Sequence, residues 1–508
     1  MMVSFSDIPG NQRAPFFFAE LDNSQANTAT QEQNTLIVGQ MLSDGSATPD
    51  TPVICGSFSQ AVALCGQGSM VAAMVDTYLK NDSAGTVYLL PIADSETGMT
   101  VASGSLCIDG LPTANGVISL YIAGVLVQVA VVPTDDLDTI ASAIVDAINA
   151  NGDLPVIAAL PAPTEGESTP ASLTITAKNA GELGNSIDIR LNYGGSLSNE
   201  VTSAGLTITI TAMSGGSGVP NLTDALASLG DTNFDFIVFP YDDSTSLDAA
   251  GELLNDQTGR WSYSQEIYGH CFGVTFGTYG DLTAKGESRN DQHASLMGVY
   301  DSPSPAWVWA AGVTGSVATS LRNEPYRPLQ TLIVNGVQAP PESSRFSMTE
   351  RNTLLYSGIS TFTVQSDGSV QIEKLITTYQ KNGYGVTDDS YLNVETMFLL
   401  MYVIRDMKTV ITSKYGRVGL VSDGTRLAPG LAVVTPSVIR AELISEYQTL
   451  EYNGYVQDSS GFADGLIVEQ NSSNPNRVDV LWDGVLANQL NIFAVLVQFR
   501  NQPSSSSS

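Results

Sequence analysis

The sequence predicts a multidomain chain of mixed α/β and α+β type, with an interrupted central α/β domain, an inserted β-rich surface domain and a C-terminal α+β domain. Three observations predict it. Apolar strand-like runs alternate with helix-like amphipathic runs on both sides of a long stretch of different texture. That stretch, from about residue 95 to 218, is rich in Gly, Ser, Thr and Val and interrupts the alternation. The last apolar run, residues 490–499, is apolar on both faces of a strand, although it lies within ten residues of an end where most chains fray.

Residues 1–24 carry Pro9, Gly10, Pro15 and the apolar piece APFFFAEL, and read as an extended arm with a strand in it. A β-α-β rhythm follows. A strand is expected at 35–40, then a helix at 68–80 with Val71, Met74, Val75 and Tyr78 on one face, then a strand at 86–91. GQGSM at 66–70 lacks the third glycine of a dinucleotide fingerprint and reads as the start of that helix.

Within the interrupting stretch the strand candidates are GVISLYIAG, VLVQVAVV, SLTITAKN, SIDIRLNY and GLTITITA, with one helix beginning TDDLDTIASAIVDAINA. Between Thr97 and Gly215 only Lys178 and Arg190 are basic, against eleven acidic residues, which suits a solvent-facing insert spanning 96–215. Asp135, Asp136 and Asp138 have the composition of a metal site. Carboxylates in a first helical turn are also favoured by the unpaired amides and the helix dipole, and capping is the preferred reading.

The alternation then resumes with a short helix in NLTDALASLG, a fully apolar strand in FDFIVFP and a helix from Leu247. Residues 25–95 and 216–345 therefore read as one α/β domain. A third domain, 346–489, opens with a hairpin turning at Ser366 to Ser369, followed by a helix over about 390–413. A second helix has Thr435 as N-cap, Pro436 at its first position and Gly454 just past its end. Ile439, Leu443, Tyr447 and Leu450 stripe one of its faces. GLIVEQ, NRVDVLW and the terminal strand at 490–500 close the domain, and 501–508 reads as a flexible tail.

The chain has 52 acidic against 21 basic residues and no run of lysine or arginine, so a phosphate backbone would be repelled and direct nucleic-acid binding is not expected. The first twenty residues lack a basic region followed by a long apolar stretch and make a poor signal peptide. MFLLMYVI, at 397–404, is far short of the about 20 residues needed to span a bilayer, so no membrane insertion is expected. Cys55, Cys65, Cys107 and Cys271 are widely spaced and read as reduced thiols. With only His270 and His293 available as bases, GHCFG is a poor nucleophile site, because neighbours along a chain usually point apart. No Walker loop or GxSxG elbow is present, so neither cofactor nor catalysis is expected.

VSFSDIPGNQRAPFFFAELDNSQANT, SRNDQHASLMG, PYRPLQTL, MTERNTLLYSGIST, IEKLITTYQ, VTPSVIRAELI, NPNRVDVLW and NQLNIFAVLVQFR, in that order, resemble the tail sheath subunit of Mu-like contractile bacteriophages. The acidic insert and the terminal PSSSSS depart from the pattern. The resemblance implies a structural subunit of the virion tail, assembled in the host bacterial cytoplasm. Its implied partners are further copies of itself in stacked hexameric rings, the tail tube protein, and baseplate and tail terminator proteins. It implies that contraction drives the tube through the host envelope, and the missing nucleotide loop implies that no ATP is used in firing.

It also implies that terminal arms add strands to neighbouring subunits. The residues assigned to that exchange are Pro15, Phe16, Phe17 and Phe18 at one end, and Leu490, Ile492, Phe493, Val495, Leu496, Val497 and Phe499 at the other. A doubly apolar strand at a frayable end independently asks for a foreign sheet edge. The alternative is a secreted surface-layer or adhesin-type β-rich protein, which should carry a secretion signal.

Overall fold

The computed structural model describes residues 32–94, 98–161 and 171–501. Pro15, Phe16, Phe17, Phe18 and the tail from residue 502 lie outside them. The centre of the molecule is a six-stranded sheet in the order Ala294–Val299, His270–Phe276, Phe236–Val238, Thr35–Gln40, Val87–Ile92, Val53–Ile54. Neighbours are parallel except the short last strand, which is antiparallel.

Every residue of Thr35–Gln40 and of Ala294–Val299 is buried, as expected for strands covered above and below. Ile37, Leu89, Phe236, Phe272 and Met297 face helices Phe58–Cys65, Met70–Leu79 and Ala306–Asn323. Leu36, Leu90, Ile237, Cys271 and Leu296 face helices Thr223–Ala227, Ser244–Leu254 and Tyr279–Glu287. The result is three layers, helix on sheet on helix. Ser69 caps the Met70–Leu79 helix by accepting from the Ala72 amide at 3.2 Å.

Helix Ala306–Asn323 has no counterpart among the sequence expectations. It is buried around nearly its whole circumference, so its apolar and small residues carry no one-sided stripe to read. Gly315 allows it to lie close to Met70–Leu79, since a Cβ there would sit 2.8 Å from the Tyr78 carbonyl oxygen.

The insert folds as two antiparallel sheets. One has the order Thr207–Ser214, Val101–Asp109, Ala171–Ala180, Val156–Ala159, and the other Val125–Val131, Gly116–Ile122, Ile189–Leu191. Helix Leu137–Ala150 buries Ile140, Ala141, Ile144 and Ile148 against them. Asp136 is its N-cap, accepting from the Thr139 amide at 2.8 Å, and Asp135 accepts from the Val132 amide at 2.8 Å. Asp136 thus does the capping work that a first helical turn asks for, while Asp135 bonds back to the end of the preceding strand.

The insert is hydrogen-bonded to the central sheet at its base. Gln40, at the carboxyl end of the central strand, donates to Asp94 at 2.6 Å and to the Ala180 carbonyl at 2.7 Å. Asp94 in turn accepts from the Ala180 amide at 2.8 Å, and Asn179 donates to the Met41 carbonyl at 3.0 Å. In open α/β sheets the crevice beyond the strand carboxyl ends, where strand order reverses, is the usual ligand site. Here the end of an insert strand fills part of it.

From Met348 to Met401 the chain packs on the α/β body through helix Met348–Tyr356, hairpin Thr361–Val364 and Val370–Lys374, and the start of the long helix Val394–Tyr415. A separate core begins on that same helix at Val403 and gathers Val434, Ile439, Leu443, Tyr447, Leu450 and Phe462. The two cores part inside the helix, because Phe398 and Met401 face the body while Val403, on another side, faces helix Pro436–Tyr452.

Candidate assembly surface

Helix Pro436–Tyr452 organises the C-terminal core. Thr435 caps it through the Val438 amide, Pro436 occupies its first position, and Gly454 at φ 82° turns the chain away after its end. Tyr447 stacks on Phe462 with ring centroids 3.8 Å apart, and Trp482 packs against both rings. The Tyr447 hydroxyl donates to the Gln457 carbonyl at 2.7 Å and accepts from the Val485 amide at 2.9 Å. That bond holds the pairing of Val456–Gln457 with Val485–Leu486, the last ladder among the described residues.

Beyond it, Gln330 donates to the Leu490 carbonyl at 3.1 Å. From residue 491 to 500 no backbone group pairs with another described residue, and no ladder forms. Ile492, Phe493 and Leu496 are 83, 82 and 84% exposed, and Leu490, Val495, Val497 and Phe499 are exposed as well. Side chains from both faces of the segment therefore meet solvent, where each large one forgoes roughly 1.5–3 kcal/mol of burial.

The C-terminal core also carries the two-stranded antiparallel sheet Ile467–Gln470 with Val478–Leu481. Val468 and Val478 pack inward on the core, whereas Ile467, Val480 and Leu481 are exposed. Neither strand has a second partner among the described residues, so two edges of amides and carbonyls stand open there. The sequence reading recognised both strands but not their role as an open edge. The signal was their length, since a pair of four-residue strands is too small to be a finished sheet.

The groups that might suggest chemistry are absorbed by structure. The His270 ring is fully buried beside Phe272 and bonded to the Ser295 hydroxyl at 2.8 Å, and burial holds it well below the usual imidazole range. Cys271 points to the opposite face of the sheet, into the other core. His293 bonds to Asp256 at 2.7 Å and lies on Trp261. Asp406, between the long helix and helix Pro436–Tyr452, is pushed up to about 7 by burial and by the Glu446 carboxylate beside it. None of the described helices is long and apolar enough to cross a membrane.

Two family profiles match this chain. One, described as the phage tail sheath protein central domain, matches residues 215–378, and the other, the phage tail sheath C-terminal domain, matches 386–500. The Mu-like prophage FluMu tail sheath protein of Haemophilus influenzae is 38% identical over 501 residues, covering 98% of this chain and 100% of that protein. Among solved structures, the sheath tail protein Lin1278 of Listeria innocua is 14% identical with a TM-score of 0.46, covering 91% of this chain and 94% of its own. The helical sheath of the anti-feeding prophage in its contracted state is 12% identical with a TM-score of 0.44, covering 97% and 100%.

Proposed function

This chain belongs to the phage tail sheath family, and from that premise we propose that it polymerises as stacked hexameric rings around a tail tube and contracts to drive the tube through a host envelope. The observation that carries the assembly step is the exposed, doubly apolar segment 490–499 in a chain whose C-terminal core also carries a small two-stranded sheet, with no third strand among the described residues. The segment of one copy adds a strand to the Ile467–Gln470 or Val478–Leu481 edge of the next. Its backbone amides and carbonyls gain partners, and its apolar side chains gain cover. Pro15, Phe16, Phe17 and Phe18 supply the matching arm from the other end of the chain.

The balance is modest for each junction. Added backbone hydrogen bonds contribute about 0.5–1.5 kcal/mol each, and ordering the arm costs about 1–2 kcal/mol per residue. Many equivalent junctions make the lattice stable while each remains able to adjust. Rigid bodies joined by extended arms can rotate and compress without losing connection. Contraction then runs from a metastable lattice to a better packed one, with no ATP consumed. The acidic insert faces outward, the C-terminal domain lies toward the tube, and the tube ends at baseplate and terminator proteins. The chain's place is the virion tail, after assembly in host cytoplasm.

Deleting residues 490–508 tests the assembly step. The proposal expects a soluble subunit with a cooperative melt and no tubes by negative-stain electron microscopy. Normal tubes, or an unfolded product, would refute it.

A further inference from the structure

Charge is unevenly distributed along this acidic chain. Residues 407–441 hold five cations, Lys408, Lys414, Arg417, Arg426 and Arg440, and a single carboxylate, Asp423. Outside that stretch 16 cations face 51 carboxylates. Three of the five cations are engaged within the described chain. Lys408 pairs with Glu266 and Lys414 with Glu442, each at 2.6 Å, and Arg440 donates to the Leu466 and Ala463 carbonyls. Arg417 and Arg426 have no ion pair or hydrogen bond to any described residue, and both are exposed.

Arg417 precedes a preformed protrusion and Arg426 lies within it. The Gly419–Leu420 strand pairs in parallel with Val433–Val434, which closes the base of the loop between them. Asp423 accepts from the Ser437 amide at 3.1 Å, and Thr425 donates to the Ser422 carbonyl at 2.7 Å. Ser422 also donates to Gln470 at 3.1 Å, so the loop base is continuous with the open sheet edge of the candidate assembly surface. Above this anchored base the chain from 422 to 432 is exposed throughout, with Leu427 and Leu431 standing beside Arg426. A closed, anchored loop of this kind presents its tip at little ordering cost.

We propose that the loop 421–432, with Arg417 and Arg426, docks on the acidic surface of a second copy of this chain, as a contact separate from strand exchange. The occupant follows from charge and position. Once residues 407–441 are set aside, the remaining chain is strongly negative, and it complements two guanidinium groups that have no partner among the described residues. The loop also adjoins the edge where the neighbouring arm arrives under the proposed function, on which this inference rests. Nucleic acid is a poor occupant, because the whole chain carries a net charge of −31. The contact joins two different patches, so it is of the kind that propagates into rings or helices.

The test compares full-length Arg417→Glu/Arg426→Glu with wild type and with Lys80→Glu/Arg327→Glu. The last variant changes net charge equally at exposed residues elsewhere. The concentration at which tubes form is read by sedimentation and negative-stain microscopy at low and high salt. The loop variant should need about tenfold more protein at low salt than either other protein, and its assembly should lose most of its salt dependence. Its melting temperature should match wild type. Should it melt early, Arg426→Gln at the loop tip replaces it, with loss of salt dependence expected.

A wild-type threshold for the loop variant, or an equal shift in the control variant, overturns the second-copy contact and leaves strand exchange standing. The first result would point to a different protein as the loop's occupant. Absence of tubes from wild type under every condition removes both readings together.

Discussion

Arg405 of the long helix donates to the carboxylate of Asp235, which has no exposed surface and opens the central strand Phe236–Val238. A second guanidinium nitrogen holds the Asn233 side chain at 3.0 Å. Burial pushes the Asp235 carboxyl up, and the guanidinium opposes that push. Arg405 lies just past the point where the helix leaves the body core for the C-terminal core, so this pair joins the two. Arg405→Leu leaves a buried carboxyl without its partner and should cost about 3–5 kcal/mol in urea unfolding. Asp235→Asn combined with Arg405→Leu should recover part of that loss.

Asp406 gives the seam between the C-terminal helices a pH dependence. Its neighbours are the Glu446 carboxylate and the Tyr402 hydroxyl, with Tyr455 beyond, and like charge together with burial raises the Asp406 carboxyl to about 7. An acid raised in the folded state binds more protons folded than unfolded. Stability therefore falls as pH rises from about 4 to about 7 and then levels off. Asp406→Asn should raise the melting temperature at pH 8 and change it little near pH 4. A wild-type and variant pair with parallel melting curves across that range would contradict the assignment.

Val495 tests the exposed segment without shortening the chain. It is exposed in the single subunit, so Val495→Asp should alter subunit stability by no more than about 0.5 kcal/mol. In a tube the same carboxylate would be placed under a neighbour's sheet, where an unpaired charge is costly. Normal melting with no tubes is the expected result.

Tyr447→Phe keeps the ring on Phe462 and removes only the hydroxyl that holds the Val485 amide and the Gln457 carbonyl. The loss should be about 1 kcal/mol. Faster hydrogen exchange at Val485 and Leu486, with little change in the helix amides, would show that the hydroxyl secures the launch of the terminal segment. Uniform exchange changes across the C-terminal core would argue for general loosening.

Several elements were legible because their cause is local. Thr35–Gln40 was readable from the β-α-β alternation of apolar runs around it. Thr435, Pro436 and Gly454 mark their helix because capping, the first-turn proline and positive φ depend on adjacent residues. Residues 490–499 carry apolar side chains of both parities, and those side chains are exposed in the single subunit. The buried helix Ala306–Asn323 was hidden because a helix covered all round loses the periodicity by which helices are recognised.

By itself the sequence determined the local elements, the interruption of the α/β rhythm, the acidic balance and the family resemblance, all of which depend on neighbours along the chain. Tertiary structure alone decided the order of the six central strands, the meeting of Arg405 with Asp235 across 170 positions, and the insertion of Ala180 against Asp94 and Gln40. It also decided that Ile467 and Leu481 stand on an open sheet and that Arg417 and Arg426 lack partners among the described residues. The physical reason is common to these cases: a hydrogen bond, an ion pair or an open edge depends on which groups meet in space, and that is set only when distant segments pack together.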